Sequence, residues 1–355
     1  VTGMHLRPEF GWTIKEIIKD GFRIAAKINI PALSKIGQNN MARTFGIMME
    51  RMAKEIPRIA PELILVLGDR GEALAGALTG MYSNIPVAHI HGGDQGDNGA
   101  HIDDSSRHAT TKFSHLHLAA TTRSAERIIK MGEEKWRVHV VGSPALVEIL
   151  SDTLISQEDL FKRVGLNIKE GLLLVVQHPV LTQAEKAGWQ MRQTLDALAD
   201  LKMQTVLIYP NSDTGGRDMI KVIEEYKKYP WLRVFKSLPR KEYLSIMKYS
   251  SVMIGNSSSW TVDAPAFKLP VVNIGVRESV RENAGNKIYV SHDQDKLKKA
   301  VKKCLFDKKF IQLVKKNKSP YGDGQAHSRI IKIIKSYFPL SSASRQKLLV
   351  KKLTY

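Results

Sequence analysis

Between residues 85 and 115 the chain reads IPVAHIHGGDQGDNGAHIDDSSRHATTKFSH, a dense run of groups able to hold or move a proton. The apolar residues Ile85 to Ala88 have the pattern of a buried strand. They open into His91, Gly92, Gly93 and Asp94, where glycines let the backbone come close to a ligand. Asp97, Asp103, Asp104, Arg107 and His108 follow within a few residues. Loops fed by buried strands are where α/β proteins bind ligands. Several carboxylates beside an arginine and a histidine suit acid–base work on a polar, anionic substrate. A plainer reading exists for each residue alone: Asp103 and Asp104 can N-cap a helix starting near Ser105, and His89 and His91 can be packed strand-edge histidines. The clustering at one strand end favours chemistry.

Other strand ends carry complementary groups. Asp69 and Arg70 close the run ELILVLG, so Asp69 can be a helix cap or an acid/base group, with Arg70 on the substrate. His178 follows LLLVVQ and precedes Pro179, which stops the strand and leaves an imidazole at its mouth to meet a phosphate oxygen. Gly255 to Ser259 (GNSSS) join a strand to a helix, where first-turn N–H groups and hydroxyls form an anion site; ordinary serine capping is the alternative. Arg277 and Arg281 flank a loop after the strand candidate 270–274, and guanidinium forks suit phosphate oxygens. His89 and His91 alternate in a strand and are expected on one side of it, but without a third ligand at recognisable spacing no metal is expected.

The elements that must position these groups alternate along the whole chain. Strand candidates in the first half are 22–28, 62–67, 85–90, 115–120 and 137–141, with helices at 39–57, 69–83 and 122–132. A second series runs 172–177, 204–209, 232–236, 251–255, 270–274 and 287–290. This alternation predicts parallel α/β layers. Two such halves imply two Rossmann-like domains facing a cleft, 1–150 and 151–320, followed by a C-terminal helix and basic tail over 321–355. The polar segment 151–170 reads as the domain connection.

A length of 355 residues suits two domains, and 43% hydrophobic with 25% charged residues is the balance of a soluble globular protein. No apolar run reaches the roughly 20 residues of a membrane span, and no signal peptide is visible, so a cytoplasmic protein is expected. The single Cys304 excludes an internal disulfide framework and a cysteine-built zinc site. The net charge of +19 is concentrated in residues 296–355, where 17 Lys or Arg face only Asp307 and Asp323. With few aromatics for stacking there, a solvated basic face is expected rather than nucleic-acid binding.

Taken in order, VTGMHLRPEFG, GDRGE, HIHGGD, IDDSSRHATTKFSH, QHPV, GNSSS, PVVNIG and SPYGDG resemble the hydrolysing UDP-N-acetylglucosamine 2-epimerases, from residue 1 to about residue 335. The resemblance implies the GT-B architecture, no cofactor, and a homo-oligomer. It also implies conversion of UDP-GlcNAc and water to ManNAc and UDP through a 2-acetamidoglucal, in sialic acid biosynthesis. Carried over by position, Asp69, Asp94, Asp103 and Asp104 become the acid/base set, with Arg107 beside them and His178 also among the catalytic groups. Arg70, His178, Asn211, Ser257, Ser258, Asp263, Arg277 and Arg281 become UDP contacts.

The chain departs from the family pattern in several places. Asp94 and Asp263 stand where glutamates are expected. Trp260 and Val280 replace glycines, and a large ring at 260 is expected to reshape the pocket. The family's opening strand, Thr-Arg loop and helix are not seen before Val1, which reads as a fragment with an exposed sheet edge. Alternatives therefore stay open: a hydrolysing 2-epimerase for a UDP-diacetamido sugar, a non-hydrolysing epimerase, a GT-B glycosyltransferase, or a nucleotide-sugar-binding protein without catalysis.

Overall fold

Each apolar run with branched residues becomes a short parallel strand, and the amphipathic stretches between become the crossover helices that cover its faces. The computed structural model describes residues 1–8, 12–30, 40–95, 102–150, 154–211, 214–276, 282–339 and 341–354. Two compact units are present, one built from Val1–Asp94, Ile102–Val141 and Arg329–Tyr355, the other on Gly142–Ser328.

The first unit holds β1 (Ile64–Leu67), β2 (Val87–Ile90), β3 (Leu116–Ala119) and β4 (Val138–Val140), paired in parallel in that order. Ala88, Ile90, Leu116 and Leu118 form its core with Ile330 of the helix Ala326–Tyr337. The expected strand at 22–28 is reduced to one parallel bridge, Thr2 to Ile28. Among the described residues β1 therefore ends the sheet, with Leu65 48% and Leu67 60% exposed. They line a groove of ≈ 720 Å³ with Thr2, His5 and Arg70.

The second unit carries β5 (Leu173–Val176), β6 (Thr205–Ile208), β7 (Leu232–Phe235), β8 (Val252–Gly255), β9 (Val271–Ile274) and β10 (Lys287–Val290). Their spatial order is β10-β9-β8-β5-β6-β7, all parallel. The chain winds outward from β5 in one direction and, after β7, returns to β8 and winds outward in the other. That reversal makes the carboxyl ends of β5 and β8 a topological switch point, where open α/β sheets bind ligands. Apolar residues fill both faces of this sheet, as a parallel sheet requires.

The units differ from the sequence-based division in two respects. The supposed connection at 151–170 contains the helix Gln157–Val164, whose Leu160 and Phe161 are buried in the core of the second unit. The C-terminal residues from Arg329 onward belong to the first unit rather than forming a separate tail. Arg137 donates to the carbonyl oxygens of Leu348 (2.7 Å) and Val350 (2.5 Å), which draws the end of the chain onto β4. Among the described residues, no helix is long and apolar enough to cross a membrane.

Candidate functional site

The first unit gathers three of the expected acid–base residues, Asp69, Asp94 and Asp104, around one guanidinium. β2 ends at Ile90, and the backbone turns through His91 (φ 63°) and Gly93 (φ 76°) to present Asp94. Gly93 is required there because a Cβ would lie 2.2 Å from the Ser124 carbonyl oxygen. The helix Ile102–Phe113 begins three residues earlier than expected, so Asp103 and Asp104 lie in its first turn rather than capping it. Arg107 follows one turn later on the face of Asp104.

Arg107 is buried and donates from Nη1 to Asp104 Oδ1 (3.0 Å) and to the Asp94 carbonyl oxygen (3.0 Å), and from Nη2 to Asp69 Oδ2. It thus ties together the end of β1, the end of β2 and the 102–113 helix. Ser124 donates its hydroxyl to Asp94 Oδ1 at 2.7 Å, while His91 Nδ1 lies 3.7 Å from Asp94 Oδ2. Asp103 stays half-buried and outside this cluster, so the adjacent pair is split by the helical period.

His89 and His91 do not act as a pair on one strand face. The β2 alternation stops before His91, whereas His89 is fully buried. The Gly68 carbonyl can only accept, so His89 Nε2 carries the proton (2.8 Å) and Nδ1 accepts from the Thr111 hydroxyl (3.2 Å). Burial pushes this imidazole down to about 4, opposed by the Gly68 bond, so at neutral pH His89 is an uncharged prop beneath the loop carrying Asp69. Arg70 is exposed and 3.7 Å from Glu72, on the β1 groove rather than in the Arg107 cluster. Among the described residues, no group of three or more His, Cys, Asp or Glu could hold a metal ion.

In the second unit, the switch point is built by a mutual amide lock. The His178 N–H donates to Asn256 Oδ1 (2.6 Å), and Asn256 Nδ2 donates back to the His178 carbonyl (2.8 Å), joining the ends of β5 and β8. Gly255 (φ 132°) permits the approach, since a Cβ there would sit 2.2 Å from the Val176 carbonyl oxygen. The Asn211 N–H donates to His178 Nδ1 at 3.1 Å. A neutral His178 ring must then carry its proton on Nε2, the form that donates to an anion.

The serine turn is divided as well. Ser257 is buried, its hydroxyl 3.0 Å from that of Ser259, which is 2.6 Å from the Tyr243 hydroxyl; Ser258 is exposed. Asp263 is buried and paired with Arg240 Nη1 at 3.2 Å; burial pushes its carboxyl up, opposed by that guanidinium. Trp260 is fully buried among Phe161, Leu172, Met253 and their neighbours, so its ring fills the core instead of reshaping a pocket. Asp97, Arg277, Val280 and Arg281 lie outside the described residues.

Three contributors carried no sequence signal strong enough to single them out: Ser124, Arg127 and Arg240. Ser124 lies 30 residues from its partner Asp94. Arg127 donates to the Gly93 carbonyl at 3.1 Å across a separation of 34 residues. Arg240 begins a helix directly after Pro239 and looks like any exposed arginine until Asp263 is placed beside it.

A sequence model of the UDP-N-acetylglucosamine 2-epimerase family matches residues 1–335. The chain is 35% identical over 342 residues to a hydrolysing UDP-N,N'-diacetylbacillosamine 2-epimerase of Legionella pneumophila, covering 96% of this chain and 88% of the relative. It is 30% identical over 310 residues to a UDP-N-acetylglucosamine 2-epimerase of Neisseria meningitidis, covering 87% and 80%. Among solved structures, the Neisseria meningitidis UDP-GlcNAc 2-epimerase bound to UDP-GlcNAc superposes with a TM-score of 0.80 at 16% identity, over 94% of this chain and 90% of the other. The two parallel α/β units are thus those of the GT-B fold.

Proposed function

Because this chain belongs to the UDP-N-acetylglucosamine 2-epimerase family, we propose that it is a hydrolysing 2-epimerase, converting a UDP-linked 2-acetamido sugar and water to UDP and the free sugar inverted at C2. The observation that carries this reading is the Arg107 cluster, which collects Asp69, Asp94 and Asp104 from three separate elements. Removing a weakly acidic C2 proton and later returning one to the opposite face calls for more than one carboxylate in more than one setting. Asp69 is partly open, whereas Asp94 and Asp104 are buried. A carboxylate takes the C2 proton as the C1–O bond breaks and the electron pair leaves with UDP, forming a 2-acetamidoglucal. Water then adds at C1 and a proton at C2.

The second unit supplies the nucleotide contacts in this reading. His178 Nε2 and the turn from Asn256 to Ser259 offer donors to a diphosphate, which steadies its developing charge as it departs. Asn211, Ser257, Ser258, Asp263, Arg277 and Arg281 remain proposed UDP contacts, with Arg70 and Asp103 in supporting places. The Legionella relative supports UDP-N,N'-diacetylbacillosamine as the sugar nucleotide. The Neisseria relative supports UDP-GlcNAc, giving ManNAc.

Incubation with each sugar nucleotide in deuterated water, followed by NMR, tests both levels of the proposal. Free 2-epimerised sugar carrying deuterium at C2, together with UDP, is the expected result, faster for the diacetamido substrate. A C2-labelled UDP-sugar as the final product would replace hydrolysis with simple epimerisation. UDP binding without turnover of either compound would make the chain a binding protein.

A further inference from the structure

The C-terminal segment ends in an ion cluster that the acid–base chemistry does not use. Glu133 follows the helix Thr122–Lys130 and is almost wholly buried. Its Oε1 accepts from Lys112 Nζ at 2.8 Å, and its Oε2 accepts from His117 Nε2 at 3.0 Å and pairs with Lys351 Nζ at 2.8 Å. Lys351 lies in an irregular stretch after the helix Ser342–Leu349, yet its ammonium is brought inside the first unit. There Nζ also donates to the carbonyl oxygens of Lys112 (2.7 Å) and Ser114 (2.6 Å).

Lys112 lies in the last turn of the 102–113 helix and Ser114 follows directly after it. A cation suits this helix end electrostatically and satisfies carbonyls that have no partner within the helix. The same helix carries Asp104 and Arg107 in its first two turns. The segment is fastened on either side of the cation: Arg137 holds Leu348 and Val350, and the Thr354 N–H donates to the Gly132 carbonyl at 3.0 Å. These contacts lie beyond residue 335, where the match to the family model ends.

We propose that residues 341–354 form a strap that locks the C-terminal end of the 102–113 helix, with Lys351 as a positioning residue for Asp104 and Arg107. The proposal rests on the function proposed above only for what the helix does, not for how it is held. A helix is stiff along its axis, so a pin through its last carbonyls sets the height at which Arg107 meets Asp69 and Asp94. Without it, the C-terminal turn of the helix opens more often, and its register against β2 and β3 is no longer fixed.

The full chain and two variants, Lys351→Gln and Lys351→Arg, provide the test. Amide hydrogen exchange over residues 104–115 reads the positioning directly, and kcat with UDP affinity reads its consequence. Lys351→Gln is expected to raise exchange at these amides at least tenfold and to lower kcat about tenfold, leaving UDP affinity unchanged. Lys351→Arg is expected to restore much of both. Unchanged exchange at 104–115 in Lys351→Gln would overturn the strap. Faster exchange with unaltered kcat would overturn the positioning role and leave Lys351 a structural residue only. If the unaltered chain turns over no UDP-sugar, the proposed function falls, and the exchange comparison still decides the strap. Should Lys351→Gln not fold, Lys351→Arg with Thr354→Pro, which removes the Thr354 donors to the Gly132 and Glu133 carbonyls and leaves residue 351 cationic, carries the same comparison.

Discussion

Arg107 illustrates how much one residue is asked to do. Its guanidinium meets two carboxylates and a carbonyl while itself nearly buried, so it is both the counter-ion and the scaffold of the cluster. Arg107→Met is expected to abolish turnover by at least about a hundredfold and to cost on the order of 3–5 kcal/mol, because breaking a buried pair leaves carboxylates uncompensated. Denaturant titration and rate measurement on the same preparation check both. Trp260 shows the opposite case, a residue whose chemistry looked relevant and whose burial makes it structural. Trp260→Ala is expected to destabilise the second unit by about 3–5 kcal/mol through the cavity it leaves, with UDP affinity nearly kept in the protein that remains folded. A large loss of UDP affinity with unchanged stability would return the ring to the binding site.

At the scale of elements, the carboxyl ends of strands do the positioning. β5 and β8 are neighbours in the sheet although 75 residues lie between Val176 and Val252, and the Asn256 side chain spans the junction with two bonds to the backbone of His178. Asn256→Leu preserves size and removes both bonds, so the imidazole loses its fixed approach. Titration calorimetry is expected to show UDP binding weakened at least tenfold, since a lost positioning network also leaves buried polar groups unpaired. Unchanged UDP affinity would remove His178 from the nucleotide site. β1 presents a different situation: parallel strands are ordinarily covered on both faces, yet Leu65 and Leu67 are open to a groove.

For the molecule as a whole, acid sensitivity follows from where its histidines sit. Burial pushes His89, His115 and His292 down to about 4, so each is neutral in the fold. The unfolded chain protonates them near 6.5, and between 6.5 and 4 it binds more protons than the folded one. Their contribution is therefore present above pH 6.5 and lost as pH falls toward 4, by up to ~3 kcal/mol each for the fully buried His89 and His115 and by less for the partly exposed His292, where solvent screens the effect. The Glu133 carboxyl is buried, but its His117, Lys112 and Lys351 partners outweigh burial and hold it down at about 2, so its contribution goes in the next window, between 4.5 and 2. Unfolding free energy measured from pH 7.5 to 4 is expected to decline steadily below pH 6.5. A flat profile would mean that these imidazoles are already accessible to protons in the folded state.

Much of this protein was legible in the residues themselves. Local apolar periodicity located the ten strands found among the described residues within a residue or two, because burial on both faces of a parallel sheet demands a continuous apolar run, whereas the strand expected at 22–28 forms only a single bridge. The glycine motifs marked strand ends because a Cβ would collide with neighbouring backbone at Gly93 and Gly255. Other features depended on partners distant in sequence. Adjacency at 103 and 104 could not tell which aspartate reaches Arg107, since that follows from the helical phase set by packing. Nor could composition tell that Lys351, one of many lysines in a basic segment, is the one drawn inside to meet Glu133. The sequence determined which groups are available and roughly where along the chain they stand; the tertiary structure decided which of them meet, because the strand order and the helix rotation that bring 69, 94, 107 and 351 into use are set by long-range packing that no local pattern encodes.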